Sequence, residues 1–183
     1  PPPVTIATLF STPAIALPLC IDCDDYQPHR SCYAKPMQPH VYFDLDGTLT
    51  DPYEGIHDTL ARVADLNCRM FVATSKPRIA AKRIVDHFEM GQYFDTVYGC
   101  ELDGTRANKV DLLAYAVEQN PEATFRVMIG DRKHDLLGVV ANDIKPLGVS
   151  YGYGSVDELN NAGAAEIAHT TNDPGNIIAR WLS

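Results

Sequence analysis

The stretch Val41-Tyr42-Phe43-Asp44-Leu45-Asp46-Gly47-Thr48 constrains this chain more than any other. Three apolar residues run straight into two aspartates two positions apart, where a buried strand should end. Carboxylates so close repel one another, and burying either without a partner is costly. A cation, or a reaction that uses both, has to accompany them.

From His40 onward the pattern alternates. Apolar runs of strand length occur at Val41–Phe43, Met70–Ala73, Thr96–Tyr98, Val127–Ile129 and Leu147–Val149. Between them lie helical periods: Ile56, Leu60 and Val63; Ala80, Ile84 and Phe88; Val110, Leu113, Ala114 and Val117. Asp173 followed by Pro174 reads as an N-cap with proline at the first helical position, opening a last helix. Strands alternating with helices predict a parallel sheet covered on both faces, whose ligands bind beyond the carboxyl ends of the strands. Asp44 and Asp46, Thr74 and Ser75, and Gly130 and Asp131 all follow apolar strands, so they converge on one edge.

Those side chains suit phosphoryl chemistry. Asp44 could attack phosphorus, while Asp46 protonates the leaving oxygen and then activates water. Gly47 permits close backbone approach to an oxyanion. Thr74 supplies a hydroxyl, and a helix beginning near Lys76 and Pro77 offers N–H groups to an anion. Lys109 opens a further helix and carries charge for the nucleophile and the phosphoryl group. Asp131 and Asp135 stand one turn apart if their stretch is helical. At ~4 Å and an effective dielectric near 20, each like-charge pair costs roughly 4 kcal/mol before screening. A hard divalent cation resolves the repulsion, and oxygen-only ligands favour Mg²⁺ over Zn²⁺.

Asp44-Leu45-Asp46-Gly47-Thr48, then Thr74, Lys109, and Gly130-Asp131 with Asp135, resemble the four ordered motifs of the haloacid dehalogenase superfamily. "VATSKP" and "GDRKHDLLG" are similar to its phosphoglycolate phosphatase-like branch. The resemblance implies a Rossmann-like three-layer sandwich with a central parallel sheet, an aspartyl-phosphate intermediate and Mg²⁺. It implies Asp44 as nucleophile and metal ligand, and Asp46 as acid/base that binds metal through its backbone carbonyl. Thr74 and Lys109 hold the phosphoryl group, with Gly47, Thr48 and Ser75 in the same binding set. Asp131 completes the metal set, with Asp135 in support. An aspartate at position 46 fits the phosphatases and mutases of the superfamily rather than its dehalogenases or ion pumps.

The chain departs from that branch in one respect. Only 25 residues separate Thr48 from Thr74, and 34 separate Thr74 from Lys109. A helix and a strand fill each interval, so no cap domain is expected at either place. A capless site would admit phosphorylated small molecules and, being open, larger phosphorylated substrates. The alternative is a catalytically weak core that acts as a binding or interaction protein.

Composition sets the remaining bounds. A length of 183 residues suits one domain, expected over 40–183 and preceded by a proline-rich irregular arm over 1–39. That arm holds eight of the thirteen prolines and the set Cys20, Cys23, His29 and Cys32, whose spacing fits no common zinc site well. A net charge of −9 argues against nucleic acid as a partner. The run Val4 to Cys20 is interrupted by Pro13 and Pro18 and makes a poor membrane span or signal peptide, so a cytoplasmic location is expected. Association into an oligomer, which could cover the open site, stays open; Tyr151 and Tyr153 follow the last core strand on the same edge, where they either line the site entrance or serve packing.

Overall fold

The computed structural model describes residues 37–50, 53–139 and 142–183; the cysteine and histidine set at positions 20–32 lies outside them. Six parallel strands form one sheet: β1 (Gln38–Phe43), β2 (Arg69–Pro77), β3 (Thr96–Cys100), β4 (Ala123–Gly130), β5 (Lys145–Val149) and β6 (Glu166–Ala168). Their order is β3-β2-β1-β4-β5-β6. The helices are α1 (Ile56–Asp65), α2 (Arg78–His87), α3 (Lys109–Gln119), α4 (Lys133–Leu137), α5 (Val156–Asn161) and α6 (Asp173–Trp181). The chain winds outward from β1 to β3 and then returns to lay β4 on the other side of β1. The direction of winding therefore reverses at β1, the position where such sheets open a crevice for a ligand.

Alternation along the strands explains the two layers. Val41 and Phe43 enter one apolar cluster with Ile56, Leu60 and Val63 of α1, Val85 of α2, and Ile177 and Ile178 of α6. Tyr42, one residue out of phase, enters the opposite cluster with Phe71, Met128 and Leu112, Leu113 and Ala116 of α3. Leu136 of α4 and Leu159 of α5 pack together beside it. Each fully buried Leu or Val contributes about 1.5–3 kcal/mol relative to exposure, so both layers hold the sheet firmly beneath its carboxyl edge.

The α/β architecture and all five expected strands are present, and four expectations need correction. The face of α2 is rotated by one residue: Ala81 and Val85 are buried while Phe88 is exposed. In α3, Leu112 and Ala116 take the buried positions expected of Ala114 and Val117. Because apolar residues are scattered round both helices, the sequence admits two neighbouring faces, and docking on the sheet selects one. Asp173 lies inside α6 as its first residue, and its carboxylate instead accepts from the backbone N–H groups of His169 and Thr170. Asp131 precedes α4, so it shares no helical turn with Asp135. The sixth strand was not anticipated.

Among the described residues, α1 alone stands between β1 and β2, and α2, one short 3₁₀ turn and β3 stand between Pro77 and α3. No described helix is long and apolar enough to cross a membrane.

Candidate active site

Three carboxylates meet at the reversal point. Asp44 immediately follows β1, Asp131 follows β4, and Asp135 lies in the first turn of α4; all three are buried. One oxygen from each lies within 4.8 Å of the others. The backbone N–H of Asp44 donates to the carbonyl of Ile129 at 2.8 Å, which extends the β1–β4 pairing and fixes Asp44 against the Asp131 loop.

Lys109 answers the charge. As the first residue of α3 it reaches across the sheet end, and its Nζ donates to Asp44 Oδ1 at 2.6 Å and to the carbonyl of Ala73 at 2.7 Å. The same ammonium stands 2.9 Å from Asp135 Oδ1. The other oxygen of Asp135 accepts from the Arg132 N–H at 3.1 Å, so both oxygens of this residue already have partners. Burial alone would lower the pKa of Lys109, but the Asp44 and Asp135 carboxylates outweigh it and hold the ammonium charged. Burial above all, with Asp135 adding to it, raises the Asp44 carboxyl to about 7 against the opposing pull of Lys109.

Asp131 is held differently. Its Oδ2 accepts from the backbone N–H of Tyr153 at 2.8 Å, whereas Oδ1 is buried with no hydrogen-bond partner among the described residues. Burial raises its pKa, and that N–H partly opposes the shift. A buried carboxylate oxygen without a donor fits a hard cation. Oxygen-only ligands with no His or Cys among them suit Mg²⁺ best. These residues therefore fit the metal that the resemblance implies.

The loop after Asp44 folds tightly. The backbone N–H groups of Leu49 and Thr50 both donate to the Leu45 carbonyl, at 2.9 and 3.0 Å. Gly47 turns with φ +77° beneath Tyr153 and Asp131, where a Cβ would collide with both side chains. Thr48 is fully buried and its hydroxyl lacks a described partner. Asp46 points outward, its side chain 52% exposed, and pairs with Lys76 Nζ at 3.2 Å. Thr74 is buried at the irregular end of β2, and its hydroxyl oxygen accepts from the Lys76 N–H at 3.2 Å. Ser75 is exposed.

Sequence reasoning missed the second half of this support. Gly152 and Gly154 press against Asp131 so closely that neither position admits a Cβ. Glu158 of α5 accepts from Arg132 Nε at 3.0 Å and from the Lys133 N–H at 2.9 Å, bracing the start of α4. The repeated glycines of "YGYG" were the available signal for the first contact. Nothing in the local sequence announces the second.

A doubly wound parallel sheet with a buried acidic cluster and Lys109 at its reversal point fits a Rossmann-like core of the haloacid dehalogenase type. A family model for haloacid dehalogenase-like hydrolases matches residues 49–149, more than half of the chain. The chain belongs to that family. It is similar to a 5'-nucleotidase of Pseudomonas aeruginosa, with 42% identity over 58% of this chain and 49% of the relative. It is also similar to the tyrosine-protein kinase PtkA of Mycobacterium tuberculosis, with 38% identity over 64% of this chain and 40% of the relative. The chain thus spans about half or less of the length of these curated relatives. A solved structure described as a predicted phosphatase from Clostridium acetobutylicum superposes with a TM-score of 0.68 at 28% identity, covering 79% of this chain and 99% of the other.

Proposed function

We propose that this chain is a Mg²⁺-dependent phosphomonoesterase that works through a phosphorylated Asp44. The arrangement that carries the reading is Lys109 bridging Asp44 and Asp135 beside Asp131, whose Oδ1 is buried without a donor. Asp44, Asp131 and the backbone carbonyl of Asp46 would hold the cation, while Asp135, with both oxygens engaged, orients Lys109 and the Asp131 loop. When bound, the cation neutralises the carboxylates and the phosphoryl oxygens.

The chain's own residues then divide the work. Asp44 attacks phosphorus in line, forming an oxygen–phosphorus bond as the bond to the leaving oxygen breaks. Lys109 and the Thr74 hydroxyl, whose proton is available to donate, hold the phosphoryl oxygens. The backbone around Gly47, Thr48 and Ser75 closes the cradle; the buried Thr48 side chain acts from below rather than by direct contact. Asp46 turns inward from Lys76 to protonate the leaving oxygen, then takes a proton from the water that hydrolyses the acyl phosphate.

Phosphate release from 4-nitrophenyl phosphate, measured with Mg²⁺, with chelator and with Asp44→Asn, tests the reading. Activity that needs Mg²⁺ and Asp44 supports it. Chelator-resistant turnover, or an unaffected Asn variant, rejects the mechanism. An intact, Mg²⁺-loaded protein inert towards a broad panel of phosphate esters would instead favour the binding-protein alternative.

A further inference from the structure

We propose that the groove between α2 and the start of β3 is a docking site for an acidic segment of a partner protein, one that also carries an apolar anchor. None of the residues that line this groove belongs to the catalytic set, and its role is independent of the phosphomonoesterase reading.

The two faces of α2 have separate uses. Ala81 and Val85 are buried against the sheet, while Arg78, Ile79, Lys82 and Arg83 are exposed. Those four line a groove of about 600 Å³, together with Phe94, Thr96 and Val97. The groove is rigidly framed. Gly99 sits so close to the Lys76 carbonyl and the Arg78 backbone that no Cβ fits there, which seats the start of α2 directly on β3. A second hollow, of about 400 Å³, shares Arg78, Thr96 and Val97 with the first and continues past Gly99 to Arg106 and Tyr115. β3 is the outermost strand on this side of the sheet, so the two hollows meet across the sheet's edge.

Charge decides what such a groove accepts. The chain carries a net charge of −9, yet this wall is basic. Its two acids are already engaged: Asp86 pairs with Lys82 at 3.6 Å, and Asp95 pairs with Arg69 at 2.6 Å. Arg78 and Arg83 have no ion-pair partner among the described residues. Guanidinium groups match carboxylates through paired hydrogen bonds, and their field draws acidic partners in and repels basic ones. Ile79, 55% exposed, stands between Arg78 and Lys82 on the same helix, beside half-buried Phe94 and Val97. An apolar side chain seated there leaves water at the point where the acids are held. An apolar centre with a charged rim is the anatomy of a specific interface, whereas a basic face alone would hold acids without register.

The test is fluorescence anisotropy of the labelled octapeptide Glu-Glu-Leu-Glu-Glu-Phe-Glu-Glu titrated with the full chain. One control peptide keeps the charge and replaces both apolar residues by serine; the other keeps the apolar residues and replaces glutamate by lysine. Saturable binding of the first peptide alone is the expected result. Arg83→Glu and Ile79→Ser each weaken that binding about tenfold, and amide shift changes in isotopically labelled protein centre on Ile79, Thr96 and Val97. Both substituted side chains are exposed, so the variants keep the fold. Equal binding of the serine control, unchanged binding in the variants, shift changes centred elsewhere, or no binding at all would each overturn the proposal. So would a dimer in sedimentation that dissociates in Arg83→Glu, because the groove would then belong to a second copy of this chain.

Discussion

Lys109 Nζ donates to Asp44 Oδ1 at 2.6 Å across 65 residues of sequence, and both side chains are almost wholly buried. Removing one partner of such a pair leaves the other charge stranded in a low dielectric, which costs more than the pair contributes when intact. Lys109 also neutralises Asp135, so its loss strands two carboxylates. Lys109→Met is expected to lower unfolding free energy by about 3–5 kcal/mol and to abolish turnover. Urea denaturation alongside phosphate release checks both effects; a stable and active Met variant would contradict the assignment.

Asp46 offers the opposite case. Its carboxylate is half exposed and its pair with Lys76 is solvated, so the pair contributes roughly 0–1 kcal/mol to stability. Asp46→Asn is therefore expected to unfold at nearly the wild-type denaturant concentration, while turnover falls by about 10²–10⁴ for want of an acid/base. A large loss of stability would mean that Asp46 is structural.

Much of this was legible in the sequence, for identifiable reasons. Asp44, Thr74 and Asp131 each follow an apolar run, and a parallel sheet brings every strand's carboxyl end to one edge, so strand detection was enough to gather them. Lys109 was legible through its place in the order of the motifs, since Lys76 also stands near a helix start. The faces of α2 and α3 were not, since Ala80, Ile84 and Phe88 compete with Ala81 and Val85 until the sheet selects between them. The strand Glu166–Ala168 is three residues long and owes its form to pairing with β5 rather than to its own composition. The outward turn of Asp46 and the partners of Asp135 are tertiary contacts that spacing does not encode.

His40 supplies a prediction about acid stability. It is fully buried beside the rings of Tyr42 and Phe71, its nitrogens have no described partner, and it pairs in register with Arg69 and Arg126. Burial, reinforced by those two arginines, lowers its pKa to about 4 from 6.5. Between these values the unfolded chain binds a proton that the folded chain refuses. The stability of the neutral form is thus fully present above about 6.5 and is lost as pH falls towards 4. At pH 5 this amounts to about 2 kcal/mol. His40→Phe should narrow the stability difference between pH 8 and pH 5 by that amount in parallel urea titrations; an unchanged difference would refute the account.

Metal binding should carry its own pH dependence. Asp44, pushed up to about 7 chiefly by burial, must lose its proton to act as a ligand. Mg²⁺ affinity is therefore expected to rise with pH through neutrality, with proton release on binding. Calorimetry in buffers of different ionisation enthalpy measures the release directly. Affinity flat between pH 6 and 8 with no proton released would contradict an Asp44 that is protonated near neutrality and gives up its proton to the metal.

The most direct measurement is to trap the acyl phosphate. Protein mixed with Mg²⁺ and a phosphomonoester is quenched in the steady state and reduced with borohydride, which converts an aspartyl phosphate to homoserine, and the peptide spanning residue 44 is sequenced by mass spectrometry. Homoserine at position 44, dependent on both ester and metal, is the expected result. Turnover that proceeds while Asp44 stays unmodified, or homoserine found at another aspartate, would contradict the account.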